Sequence, residues 1–150
     1  MAATATATGH IVLRLERRFT APRERVFDAW TNPEALKRWW CPAGWEPTRI
    51  EVDLRVNGAY FLGMRRIEDE STAAVYGQFL EVRRPERLHY TWRWQGALES
   101  MAETHVTVDF LDEGAHTRLI LTHERLADVA LWNKHRAGWI AACDRMDTIL

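Results

Sequence analysis

From residue 48 onward the hydrophobic period of this chain changes once, near the end, and that change limits what it can fold into. Apolar residues first return at every second position: Ile50, Val52 and Leu54, then Tyr60, Leu62 and Met64, then Val75 and Phe79. The pattern continues through Leu88, Tyr90, Trp92 and Trp94, through Val106, Val108 and Phe110, and through Leu119 and Leu121. Period two puts successive side chains on opposite faces of an extended chain, so each run predicts a half-buried strand. From about residue 127 the spacing becomes three and four. Trp132, His135, Trp139, Ala142, Cys143, Met146 and Leu150 then fall on one stripe, which predicts one long amphipathic helix. A sheet with one polar face needs cover on the other, and this helix is the only element large enough to give it.

Turn chemistry separates the runs. Asn57-Gly58 predicts a two-residue hairpin between strands at 48–56 and 59–67. Polar turns at 68–71, 84–86 and 112–115 and a loop at 96–102 bound strands at 72–82, 87–95, 103–111 and 117–123. Connections this short imply an antiparallel meander. Upstream, Ile11, Leu13 and Leu15 alternate with Arg14, Glu16 and Arg18 in a strand over 10–19. Pro22 then opens a short helix carrying Val26, Phe27, Ala29 and Trp30. Asn32 caps a second, with Pro33 at its first position and Leu36, Trp39 and Trp40 along it. Gly138 costs the long helix about 1 kcal/mol against Ala, which suggests close packing against another element. The expectation is an α+β fold: a curved seven-stranded antiparallel sheet, two short helices after strand 1, and a long C-terminal helix packed across it. Residues 10–150 form one domain. The uncharged Ala/Thr run at 1–9 reads as a disordered lead-in.

Composition excludes several classes. Twenty Lys and Arg against 21 Asp and Glu leave a net charge of -1, which gives no reason to expect nucleic acid or an anionic membrane as partner. No apolar stretch approaches the roughly 18–20 residues of a membrane span, and the start lacks the pattern of a signal peptide. Two cysteines, Cys41 and Cys143, make neither a disulfide framework nor a zinc constellation, so a reduced cytoplasmic protein is the expectation. No HExxH, CxxC or glycine-rich phosphate loop is present, and neither metal nor cofactor is expected.

Particular residues carry a resemblance. The stretch Ala21-Pro22-Arg23-Glu24-Arg25-Val26-Phe27-Asp28-Ala29-Trp30-Thr31-Asn32-Pro33-Glu34 is followed by Trp39-Trp40 with Pro42. After these come Asp53-Leu54-Arg55-Val56-Asn57-Gly58, Pro85-Glu86-Arg87-Leu88 and Leu121-Thr122-His123-Glu124, and then His135 with Gly138-Trp139. In this order they resemble the helix-grip superfamily that includes START and Bet v 1-like proteins. Within it they are similar to the branch of the C-terminal domain of the Hsp90 ATPase activator. The resemblance runs from about Leu13 to the C-terminus. It implies a seven-stranded sheet gripping the long helix, with a cavity between them, in a broad setting of stress response or metabolism. It does not imply one reaction: proteins of this fold bind lipids, hormones or polyketides, some catalyse cyclisation and a few are hydrolases. The activator also carries a separate N-terminal chaperone-binding domain. The dozen or so residues before strand 1 hold no counterpart, so Hsp90 activation is not expected.

If the helix stripe faces the sheet, large rings wall the space between them. Tyr60, Leu62, Met64, Phe79, Tyr90, Trp92, Trp94, Val106 and Val108 come from the strands. Trp132, His135, Trp139 and Cys143 come from the long helix, and Trp40 from the second short one. Such walls suit a small apolar or aromatic ligand held by stacking and area burial. The same rings could instead fill the core, Trp30 and Trp39 above all. His123 and His135 could converge near the start of the long helix and, with Tyr60, exchange protons in an enzyme of cyclase or hydrolase type. The alternative is that they are hydrogen-bonded structural histidines. A third reading is a protein-interaction module, as monomer or homodimer. Cys41, near Arg38, sits at an expected pocket rim without a readable triad. The arginine pairs Arg17-Arg18, Arg65-Arg66 and Arg83-Arg84 read as a solvated face, and Arg55 and Asp53 as partners of residues across strands.

Overall fold

Asn32 ends one helix and begins the next. In the computed structural model, α1 spans Arg23–Thr31 and α2 spans Pro33–Trp39, and the Asn32 side chain accepts from the Glu34 and Ala35 backbone N–H groups at 2.9 and 3.4 Å. Pro33 supplies the first helical residue, where its missing N–H costs nothing. Pro22 lies one position earlier than expected: it precedes α1, and its carbonyl accepts from Arg25 and Val26. The structure describes the backbone of Thr4–Ala5 and residues 10–96 and 98–150.

The strands are β1 (Thr4–Ala5), β2 (Ile11–Phe19), β3 (Trp45–Val52), β4 (Ala59–Arg66), β5 (Thr72–Arg83), β6 (Arg87–Gln95), β7 (Thr104–Glu113) and β8 (His116–Leu126). The long helix α3 spans Val129–Asp147. The seven strands predicted from alternation are β2 to β8. They pair antiparallel in the order β2-β8-β7-β6-β5-β4-β3, with the two-residue β1 beside β2. Expected disorder over 1–9 falls outside the described residues, apart from Thr4 and Ala5. The first long strand therefore pairs with the last, and α1 and α2 carry the chain from β2 to β3 at the far edge. Register shifts in β2, β3 and β5 mark bulges, which bend strands and curve the sheet.

Four expectations are corrected. The Asn57-Gly58 hairpin is a six-residue loop, because β3 stops at Val52 and β4 starts at Ala59. Asn57 does take the left-handed conformation, with φ 69°, but its N–H is bonded to the Phe79 carbonyl of β5, outside the hairpin. Within that loop Arg55 pairs with Asp53 itself at 2.9 Å, not with neighbours across strands. β3 begins three residues early and passes through Pro47, which an edge strand tolerates. Finally, α3 does not cover the sheet alone. Phe27 and Trp30 of α1 pack on Phe110 of β7 with ring centroids 5.2 and 6.2 Å apart.

Asp128 starts α3 as its N-cap, accepting from the Leu131 N–H at 2.8 Å. The stripe Trp132, His135, Trp139, Ala142, Cys143 and Met146 is buried as the period predicts. Arg17 on β2 reaches Asp144 at 2.7 Å and fixes the helix end to the sheet. The other paired arginines find carboxylates at the surface: Arg18 with Glu113, Arg65 with Glu46, Arg66 with Asp69, Arg83 with Glu81 and Arg84 with Asp28. Among the described residues no helix is long and apolar enough to cross a membrane.

Candidate functional site

Small residues on α3 open the space that its large ones frame. On the turns facing β4 to β6, Gly138, Ala141 and Ala142 stand between His135 and Trp139 on one side and Arg145 on the other. Opposite them lie Met64, Ala73, Trp92 and Trp94 of the sheet. The segment leaving α2 closes the side with Trp40, Pro42 and Trp45, and Leu98 closes the loop end. The cavity is open on one side and holds about 410 Å³, within the range of small-molecule sites. Gly138 is not packed against another element as expected. A Cβ built on it meets nothing within 4 Å, because Gly138 is exposed, at the open rim of this cavity.

A second cavity of about 30 Å³ lies under α1 and α2, among Trp30, Leu36, Trp39, Tyr60, Phe79 and Tyr90. It has room for about one water. Trp40, Trp92 and Trp139 border both spaces and form the wall between them. Their rings meet closely, Trp40 on Trp92 at 5.8 Å and Trp92 on Trp139 at 5.0 Å. The aromatic set is thus divided between filling the core and walling a cavity.

The expected site residues divide accordingly. Trp40, Met64, Trp92, Trp94, His135 and Trp139 meet at the larger cavity; Tyr60, Leu62, Phe79 and Tyr90 meet at the smaller. Val106, Val108, Trp132 and Cys143 are buried in the core and border neither. Trp132 instead donates from its indole to the Val12 carbonyl on β2 at 3.2 Å. Alternation could not point to Ala73, Gly138, Ala141 and Ala142, since it reports the face a residue occupies and not the volume it leaves empty.

His123 and His135 do converge, with ring centroids 4.9 Å apart. Their hydrogen bonds fix their chemistry. The indole of Trp139 donates to His123 Nδ1 at 3.1 Å, and an indole nitrogen can only donate. The His123 proton therefore sits on Nε2 and is given to Thr104 Oγ1 at 2.7 Å. In the same way Trp94 donates to His135 Nε2 at 3.1 Å, leaving His135 Nδ1–H to the Leu131 carbonyl at 2.8 Å. Burial also pushes both imidazoles below their ordinary pKa, His123 the further, which favours the neutral form this network needs. Both lone pairs are occupied, and a general base needs one free.

The other titratable candidates are also held in place. The Tyr60 hydroxyl donates to the Thr91 carbonyl, and burial raises its pKa well above the usual phenol value. Gly77 on β5 makes that bond possible: Thr91 approaches so closely that any Cβ on Gly77 would collide with its carbonyl. Burial pushes the Cys41 thiol up to about 11, against a smaller lowering effect of Arg145. The Arg145 guanidinium is occupied by the Trp39 and Trp40 carbonyls at 2.8 and 3.2 Å, which ties the end of α2 to α3. Cys143 is pushed up to about 12, chiefly by burial. Among the described residues no three His, Cys, Asp or Glu side chains converge as a metal centre needs.

A curved sheet gripping a C-terminal helix over an aromatic cavity is the class this architecture defines. Residues 20–150 match the family model described as activator of Hsp90 ATPase homolog 1-like protein, and the chain belongs to that family. Its fold family is known for binding ligands in a cavity. A solved structure from Chromobacterium violaceum is similar at 28% identity, covering 91% of this chain and 95% of that one, with a TM-score of 0.82. The AHSA1 protein from Silicibacter pomeroyi shares 28% identity over 91% and 95% of the two chains, with a TM-score of 0.79. A Rhodobacter sphaeroides protein is 19% identical over 99% and 95%, with a TM-score of 0.82, a likeness of fold alone. No curated protein gives a significant match.

Proposed function

We propose that this protein binds a small hydrophobic or aromatic molecule in the larger cavity, between α3 and strands β4 to β6. The carrying observation is the indole-walled space itself, which Gly138, exposed on α3, leaves open at its rim. A helix interior that tolerates glycine loses about 1 kcal/mol against alanine, yet here no neighbour occupies the space a side chain would take. Five indoles, those of Trp40, Trp45, Trp92, Trp94 and Trp139, stand around that space. Flat faces with few free polar groups favour a ligand that gains affinity by stacking and by leaving water.

The test is a titration of the full chain with anilinonaphthalene sulfonate and with fatty acids, sterols and flat aromatics, reading Trp fluorescence and melting temperature. At least one class is expected to quench the indoles and to raise the melting temperature, because a ligand that binds only the folded state stabilises it. Gly138→Leu, which puts a side chain into the cavity, is expected to weaken that ligand at least tenfold with unchanged far-UV circular dichroism. Silence across the panel, or full binding by Gly138→Leu, defeats the reading.

A further inference from the structure

Every formal charge on the lining of the larger cavity is positive. Lys134 and Arg145 stand on the cavity face of α3, about 16 Å apart along the helix axis. Among the described residues no Asp or Glu lines the space with them. The acidic neighbours in sequence are engaged elsewhere: Asp144 pairs with Arg17, Glu46 with Arg65, and Glu99 accepts from the Gly96 N–H. Neither Lys134 nor Arg145 forms an ion pair among the described residues. Their settings differ. Lys134 is exposed, whereas Arg145 is half-buried and held in place at the α2 end, where Trp40 and Pro42 close the cavity. Its tie to the Trp39 and Trp40 carbonyls uses two of its five N–H donors, one on Nε and one on Nη2. Nη1 makes no hydrogen bond among the described residues, yet it is not sealed from solvent. Carbonyls also bring no net charge. Burial holds this guanidinium below its ordinary pKa, as befits a cation short of counter-charge.

We propose that the molecule held in this cavity carries a carboxylate, which Arg145 takes at the α2 end while the apolar part lies among the indoles. Nη1 offers two N–H groups and Nη2 one more, in the planar fork that suits a carboxylate. The anion supplies the charge that the carbonyls lack. The guanidinium, already fixed by its tie to α2, loses little freedom in taking it. Lys134, toward the other end of the face, adds attraction at longer range. This rests on the cavity-binding reading above and adds the ligand class: apolar acids over neutral molecules of the same shape.

A matched pair of probes separates the two claims. Naphthoate and naphthamide have nearly the same shape, and at neutral pH the first is an anion and the second is uncharged. Calorimetric titration of the full chain is expected to give roughly tenfold or more tighter binding of naphthoate, the size of one hydrogen bond to a charged group. Arg145→Gln is expected to abolish that preference. The readout is the ratio of the two affinities within the variant, so any general weakening cancels. A crystal structure of the unaltered chain with naphthoate is expected to put the carboxylate on Arg145 Nη1, and it needs no variant to fold. Three results overturn the inference and leave the cavity reading standing: equal affinity of the unaltered chain for the two probes, a preference that survives Arg145→Gln, or naphthoate in the cavity with its carboxylate away from Arg145, on Lys134 included. Naphthoate seated outside the cavity, or binding of neither probe by the unaltered chain, overturns both.

Discussion

Two histidines show how a single hydrogen bond decides a residue's role. Sequence alone left His123 and His135 open between proton exchange and structure. The bonds from Trp139 and Trp94 occupy the lone pairs that exchange would use. A histidine whose pKa falls on folding binds fewer protons folded than unfolded. Stability from His123 and His135 is therefore complete above about pH 6.5, the ordinary value, and is lost as pH drops below it. The slope from each imidazole is at most about 1.4 kcal/mol per pH unit, confined to the interval between its folded and its unfolded pKa, and so extends further for His123 than for His135. His105 on β7, also lowered chiefly by burial, adds to it. Urea unfolding at pH 7.5, 6.0 and 5.0 measures this, and His123→Asn should reduce the slope. A midpoint that does not move with pH would contradict the assignment. Cys41 gives a second residue-level prediction. With its thiol near 11, alkylation by iodoacetamide at pH 8 should be on the order of 100-fold slower than for a free thiol. A rate like that of free cysteine would count against burial at this site.

Elements were legible where period and capping agree. β2 to β8 and α3 follow from alternation and from the switch to a 3.6 period, and Asn32-Pro33 marks the α1–α2 boundary to the residue. The misses are local and have physical causes. The 53–58 loop is shaped by the bond from Asn57 N–H to Phe79 on another strand, which no two-residue turn signal contains. β3 begins before Pro47 because an edge strand need not donate there. The cost of Gly138 predicts a close neighbour that the structure lacks, since a helix can keep glycine for closeness or for open space. The difference is measurable. Gly138→Ala restores helix propensity and its Cβ meets nothing within 4 Å, so it should stabilise the protein by about 1 kcal/mol. Chemical denaturation settles it: destabilisation would mean that another element does press on α3 there.

At the scale of the whole molecule, the cavity is a property of volumes summed across elements. Ala73 comes from β5, Gly138, Ala141 and Ala142 from α3, and the rings from β6, α3 and the end of α2. Each run of sequence shows which face is apolar, and none shows that small residues on two elements oppose each other. That is why the fold could be read along the chain while the site could be read only as a set of rings. It also means that folding stability and ligand binding compete for the same space. Filling a cavity with apolar atoms recovers dispersion contacts and transfer free energy. Ala73→Leu combined with Gly138→Leu, entering from opposite walls, should therefore raise the melting temperature of the free protein while abolishing the rise produced by any ligand from the panel. A double variant that gains stability and still binds with the original affinity would place the ligand outside this cavity. One that loses stability would mean the walls are held too rigidly to accept new volume, and the single Gly138→Ala change, which adds only one methyl, would still report whether the space beside α3 is open.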